Sequence, residues 1–121
     1  MSVASYRDLT VWQAAIDLGQ SVYELTAKFP RSELYGLTSQ VRRSAVSVAS
    51  NIAEGHARSS RKEYLRFLSI ARGSLAETET QLIIAERLEL APSRDVSALL
   101  TRAEAISKML RRLQQALERS A

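Results

Sequence analysis

The chain has 121 residues, a length that predicts one compact domain over residues 1–121 and leaves no room for two. Its composition, 45% hydrophobic and 25% charged, is that of an ordinary globular protein, and the absence of cysteine excludes a disulfide framework and thiolate metal sites. The net charge of +4 is uneven: residues 31–62 carry +4 and 91–121 carry +3, while 1–30 carry −1 and 63–90 carry −2.

The opening run, MSVASYRDLT, lacks the apolar core of a signal peptide, and no uncharged apolar run reaches the ~18 residues of a spanning helix. A cytoplasmic chain with no membrane partner is the expectation. With only 4 Gly and 2 Pro and an abundance of Ala, Leu, Glu, Arg and Gln, the sequence favours helix almost throughout.

The first helix is expected over 8–28 and stops at Phe29-Pro30, because proline disfavours helical geometry in the residue before it. Its apolar stripe is read as Leu9, Trp12, Ala15, Ile16, Val22 and Phe29, flanked by Val11, Leu18 and Leu25. The second is expected over 33–57, with Leu37, Val41, Ala45, Val48 and Ile52 at steps of three or four and small Ala49 and Ala53 beside them. The third, over 60–89, opens on Ser60-Arg61-Lys62-Glu63, a capping-box pattern. Leu68, Ala71, Leu75, Leu82 and Ala85 form its stripe, and Gly73 in its middle predicts a close helix crossing.

Ala91-Pro92-Ser93 is the last break, with Ser93 expected to cap a fourth helix over 93–118. Val96, Leu99, Ala103, Ile106, Leu110, Leu113 and Leu117 alternate steps of three and four, the period of left-handed helix packing. Amphipathic helices joined by short connections predict an all-α fold, an antiparallel up-down-up-down four-helix bundle.

Enzyme chemistry finds little support in the residues. A di-metal carboxylate site needs Glu-x-x-His pairs on two helices, whereas the single His56 stands two residues after Glu54. No nucleophile elbow or phosphate-binding glycine loop occurs, and Glu77 and Glu79 point to different sides of a helix. No catalytic residue, metal or cofactor is expected, and His56 reads as a solvated side chain beside a turn.

Two polar features remain. Gln40, Ser44, Ser47, Asn51 and Glu54 recur at steps of three or four on the second helix, and Glu63, Ser74, Glu77 and Gln81 can be placed similarly on the third. Such a stripe fits a solvated face, an interhelical or intersubunit seam, or a ligand site; neutral Ser and Asn beside small Ala favour the seam, centred on Ser47, Asn51, Glu54, Glu77 and Gln81. The second feature is basic: Arg42 and Arg43 are adjacent, and Arg58, Arg61, Lys62 and Arg66 surround the turn after SNIAEGHARSS, where Gly55 is expected to relax the corner. These six are the candidate phosphate contacts, against a plainer role as solvated charge or as cations at a helix C-terminus.

The runs YRDLTVWQAAIDL, FPRSELYGLTSQVRRSAVSVASNIAEG, EYLRFLSIARGSLAETETQL and KMLRRL resemble the four-helix-bundle proteins encoded in 23S ribosomal RNA intervening sequences. They are similar as well to the accessory protein of diversity-generating retroelements. The resemblance implies a non-enzymatic homopentameric ring, with a basic surface that in the retroelement branch binds nucleic acid and a reverse transcriptase. It covers Arg42, Arg43, Asn51, Glu54, Gly55, Arg58, Glu63, Gly73, Ser74, Glu77 and Gln81 of the family pattern. The expectation is a homo-oligomer binding RNA or DNA through arginine without sequence readout, with a protein-interaction scaffold as the alternative.

Overall fold

The computed structural model of the protein describes residues 5–120; residues 1–4 and 121, the ends of the expected domain, lie outside the described residues. Among the described residues there are four α-helices and no strand: α1 (Thr10–Thr26), α2 (Leu37–Ala57), α3 (Arg61–Arg87) and α4 (Ser93–Arg119). Single 3-10 turns at Tyr6–Asp8 and Arg31–Glu33 precede α1 and α2, so the first two helices start later than the sequence pattern suggests. Leu9 is extended where helix was expected, and its flanking turn is held by Ser5, whose hydroxyl accepts from Arg7 N at 3.1 Å.

The helix ends follow local chemistry. The Ser60 hydroxyl accepts from Glu63 N at 3.1 Å and caps α3 as expected, while the Glu63 carboxylate turns to Arg66 at 3.2 Å. Past the end of α3, Glu89 takes a left-handed φ of 59° and Leu90 N reaches back to Ala85 O at 2.9 Å. That is a Schellman closure made without the usual glycine. Ser93 does not cap α4: Pro92 occupies the cap position and Ser93 is already helical, with Asp95 N and Val96 N both donating to Pro92 O at 3.1 Å.

The core is a single apolar cluster fed by all four helices. The expected stripes of α2 and α3 are buried throughout, as are Val96, Leu99, Ala103, Ile106 and Leu110 of α4. The stripe of α1 matches the expected one at Ala15, Val22 and Phe29 and departs from it elsewhere. Val11, Ala15, Leu18, Val22 and Leu25 face the core at alternating steps of four and three, whereas Ile16 is exposed and Leu9 and Trp12 only lean on the cluster. The flanking residues are the central ones because only their spacing keeps one face inward over the whole helix.

The most extensive helix pairing is α2 with α3, and its contacts run in opposite directions along the two segments. Ser44 meets Thr78 and Gln81, Ser47 meets Ser74, and a Cβ on Gly55 would meet Tyr64 and Phe67. Ser69 and Arg72 meet Gln114 across α3 and α4, and Ser21 meets Arg102 across α1 and α4.

The close approach that Gly73 was expected to allow lies elsewhere. Nothing stands within 4 Å of the Cβ position at Gly73, which faces solvent. A Cβ at Gly55 would lie 2.9 Å from Phe67 Cβ, 3.1 Å from Tyr64 Cδ1 and 3.3 Å from Tyr64 O. Gly55 is thus a buried helical residue inside α2, and the corner begins three residues later at Arg58. Opposite outcomes are expected on adding one methyl group. Gly73→Ala should stabilise by about 0.5–1 kcal/mol through helix propensity. Gly55→Ala should destabilise by about 1–3 kcal/mol, since Phe67 Cβ and the α3 backbone must move. Urea unfolding midpoints of the two variants measure the difference.

A polar seam and a basic half as candidate functional site

Five side chains make the α2–α3 seam: Ser44, Ser47, Ser74, Thr78 and Gln81. Ser44 Oγ lies 2.8 Å from both Thr78 Oγ1 and Gln81 Oε1, and Ser47 Oγ lies 2.8 Å from Ser74 Oγ. A hydroxyl has one proton, so with Ser44 donating to Gln81, Thr78 donates either to Ser44 or to Ser74 O, 3.0 Å away. Asn51 Nδ2 donates to Ser47 Oγ at 2.9 Å and to Ser47 O at 2.8 Å, which holds Ser47 in place from within α2. Ser44, Ser74 and Thr78 are buried, and each has a partner.

Glu54 and Glu77 stand outside this network. Glu54 is exposed and pairs with Arg58 at 2.7 Å, one turn along α2. Glu77 is exposed and lines an open polar groove of about 540 Å³ whose floor is the seam itself, with Arg43, Gln40 and Tyr35 around it. Thr78 was not singled out in the sequence. Its signal was its place between Leu75 and Leu82 at steps of three and four, a core position filled by a hydroxyl.

The six candidate phosphate contacts do not form one patch. Arg42 and Arg43 stand near the start of α2 and Arg58 follows its end; fifteen residues at 1.5 Å each separate Arg43 from Arg58 by about 22 Å. Arg42 is engaged within the fold. Its Nε donates to Thr26 Oγ1 at 2.7 Å, Nη2 to Tyr23 O at 3.4 Å, and the guanidinium lies 4.5 Å from the Tyr23 ring centroid. It ties α2 to the last turn of α1, where the helix dipole favours a cation.

At the other end, Phe67 organises the charge. The Arg58 and Arg66 guanidinium carbons lie 4.9 and 4.7 Å from its ring centroid, and Glu54 and Glu63 hold the two arginines there. Arg61 and Lys62, in the first turn of α3, are exposed and make no ion pair among the described residues. His56 lies edge-on to Tyr64, ring centroids 5.9 Å apart, and burial pushes the Tyr64 phenol up from its usual range. The histidine is therefore part of the α2–α3 contact rather than a solvated bystander.

The Arg72–Gln114 bond, 3.2 Å, sets the end of α4 beside the first half of α3. Residues 54–72 and 108–119 together hold nine Lys and Arg against three Glu, a local +6, while the rest of the chain carries −2. The bundle is electrically polarised, and Arg111, Arg112 and Arg119 extend the basic region beyond the residues proposed from sequence. Among the described residues, no group of three or more His, Asp or Glu stands together in a way that could hold a metal. Among the same residues no helix is long and apolar enough to cross a membrane.

The sequence matches the 23S rRNA-intervening sequence protein family over residues 7–112, which covers α1, α2, α3 and most of α4. The chain belongs to that family. A solved structure from Bacteroides thetaiotaomicron, described as a protein with unknown function from the S23 ribosomal protein family, has the same fold. It superposes with a TM-score of 0.78 at 21% identity, covering 87% of this chain and 98% of that one. No curated protein matches the chain.

One carboxylate in the negative half is out of balance. Burial, and then the nearby Glu104 carboxylate, push Glu79 above the usual carboxylate range. The folded chain therefore holds this proton more tightly than the unfolded chain, so the contribution of Glu79 to stability is greatest at low pH and is lost as pH rises through the folded value. Glu79→Gln should be more stable than the parent at neutral pH, with the gap closing below the ordinary carboxylate range; thermal melts across pH test this.

Proposed function

We propose that this protein is a non-enzymatic, cytoplasmic, single-domain bundle of antiparallel up-down-up-down helices that assembles as a homopentameric ring. It binds RNA or DNA through phosphate contacts on its basic half, without reading sequence. The observation that carries this reading is the charge segregation, +6 on residues 54–72 and 108–119 against −2 elsewhere. A chain whose positive charge had no task would spread it for solubility; gathered on one side, it makes a field that attracts a polyanion.

The contacts proposed are Arg58, Arg61, Lys62 and Arg66, with Arg111, Arg112 and Arg119 beside them and Arg43 as an outlying contact. Arg42 is spent inside the fold. Arg58 and Arg66, held on Phe67 with their glutamates, present oriented guanidinium edges, whereas Arg61 and Lys62 are exposed and make no ion pair among the described residues. Ring assembly draws support from Ile70, Ile84 and Leu88, exposed hydrophobics at spacings that place them on one outward face of α3. Five copies raise the net charge to about +20, so weak contacts act together.

A second reading, a scaffold that recruits a protein partner such as a reverse transcriptase, is favoured by Tyr35. This residue is 93% exposed beside the exposed Leu34 and Tyr23 at the corner between α1 and α2. An aromatic group left in water at that level suits a protein contact.

Binding of labelled single-stranded RNA, followed by fluorescence anisotropy across salt concentrations, separates the two. Affinity should fall linearly with salt on logarithmic axes, by about 0.7 in slope per phosphate contact. Arg61→Glu with Lys62→Glu should weaken binding and reduce that slope by about one to two. Absence of RNA and DNA binding at low salt, or binding indifferent to the charge reversal, removes the nucleic-acid reading and leaves the scaffold.

A further inference from the structure

Arg72 is the one cation in the basic half that is partly drawn into the fold, and its hydrogen bonding is incomplete. Its Nη1 donates to Gln114 Oε1 at 3.2 Å, and Gln114 Nε2 in turn donates to Ser69 Oγ at 3.1 Å. Nε is buried without a partner, and Nη2, the amine on the Nε side, makes no hydrogen bond among the described residues. Nε and Nη2 together form the fork with which a guanidinium grips two oxygens at once. The Gln114 contact therefore fixes one edge of the group and leaves the bidentate edge unused.

A buried donor without an acceptor is costly, and an arginine without a carboxylate partner in a half-buried site is more so. The surroundings offer no acid in contact: no ion pair joins Arg72 to any carboxylate among the described residues. A cavity of about 300 Å³ between α3 and α4 is lined by Arg72, Arg111, Gln114, Gln115 and Glu118. Arg111 stands less than one turn before Gln114 on α4 and is exposed, so two guanidinium groups and amide donors line one opening.

From this arrangement we infer that Arg72 and Arg111 form a clamp for a phosphate group, a defined anion site within the broader basic half. It differs from the contacts of Arg61 and Lys62 in kind. Those residues supply charge, whereas Arg72 is oriented in advance by Gln114 and Ser69 and supplies geometry. Much of the ordering that a surface arginine undergoes on binding is here already in place, and a small side-chain shift opens the buried Nε to the ligand. Glu118, on the rim of the same cavity, is the one group that opposes the anion. The ligand is a phosphate group, reached either as a phosphodiester of the bound strand or as the free ion. In its first form the inference rests on the nucleic-acid reading above.

Two arms separate the sources. In the first, anisotropy with labelled single-stranded RNA compares the parent with Arg72→Lys, Arg111→Lys and Arg87→Lys, all of which keep the charge. Arg72→Lys and Arg111→Lys should lose about tenfold in affinity, because lysine lacks the fork, while Arg87→Lys, exposed at the end of α3 and outside the basic half, should be silent. Glu118→Gln should bind more tightly than the parent. In the second, thermal melts in inorganic phosphate are compared with chloride at equal ionic strength. The midpoint should rise with phosphate in the parent and not in Arg72→Lys or Arg111→Lys.

Arg111 makes no hydrogen bond or ion pair among the described residues, so its variant tests the clamp even if Arg72→Lys loosens the helices. A response in either arm supports the clamp and names its source. Equal effects of all three Lys substitutions on RNA, together with no phosphate-specific rise in the melt, overturn it. A change in oligomer size of Arg72→Lys with RNA affinity intact also overturns it, since the fork's partner is then a carboxylate of another chain. If the parent binds no RNA, the nucleic-acid reading fails on its own, and the melts still decide the clamp.

Discussion

The hydroxyl pair Ser44–Thr78, buried between α2 and α3 at 2.8 Å, is the constraint on which the rest of the bundle depends. Apolar stripes at steps of three and four fit a neighbouring helix at more than one height, because sliding by a turn replaces one aliphatic contact with another. Hydroxyls do not slide for free. A one-turn shift of α3 sets Ser47 against Ile70 in one direction and Ser44 against Leu82 in the other, so either way a hydroxyl of the seam loses its cross-helix partner, at about 1–3 kcal/mol where it is buried. With the register held there, Ser47 meets Ser74 one turn along, and Gly55 meets Tyr64 and Phe67 at the far end. The position of Phe67 then decides where Arg58 and Arg66 lie. The basic corner is thus a consequence of polar pairing some 16 Å away, eleven helical residues from Ser44 to Gly55.

The sequence was most informative where one face of a helix had one task. The stripes of α2, α3 and α4 as far as Leu110 were legible because apolar residues recur every third or fourth position; beyond Leu110 the buried residue is Gln114, and the expected Leu113 and Leu117 only lean on the core. On α1 the apolar residues exceed what one face can hold. Ile16 and Leu9 then read as core, and Leu18 and Leu25 as flanks, when the packing is the reverse. Gly73 and Gly55 show a second limit. Both are glycines in helices, and a glycine reports a close approach only once the partner's position is known; here the partner is Phe67, seven residues into the next helix.

The candidate site was visible as composition and hidden as geometry. Adjacent Arg42 and Arg43 look equivalent in sequence, yet a step of 100° around the helix turns one toward Tyr23 and Thr26 of α1 and the other toward the open groove. Arg58 and Arg66 are eight residues apart across a turn and share one aromatic ring. Arg72 and Gln114, forty-two residues apart, had no signal in the sequence at all, since their pairing follows from the way α4 lies on α3. The membership of the chain in the 23S rRNA-intervening sequence family agrees with the first of the two resemblances carried by its motifs, and the Bacteroides structure shares the fold.

The most direct test of the account is a double-mutant cycle on Ser44→Ala and Thr78→Val by urea unfolding. Each single substitution removes the cross-helix hydroxyl contact and leaves the other hydroxyl its remaining acceptor, Ser74 O for Thr78 and Gln81 Oε1 or Val41 O for Ser44, while the double substitution leaves neither hydroxyl. The account predicts that the double variant is more stable than the sum of the singles implies, with a coupling of about 1 kcal/mol. Additivity of the two within about 0.3 kcal/mol would show that the pair carries no specific interaction, and the seam could not then be what sets the register of the bundle.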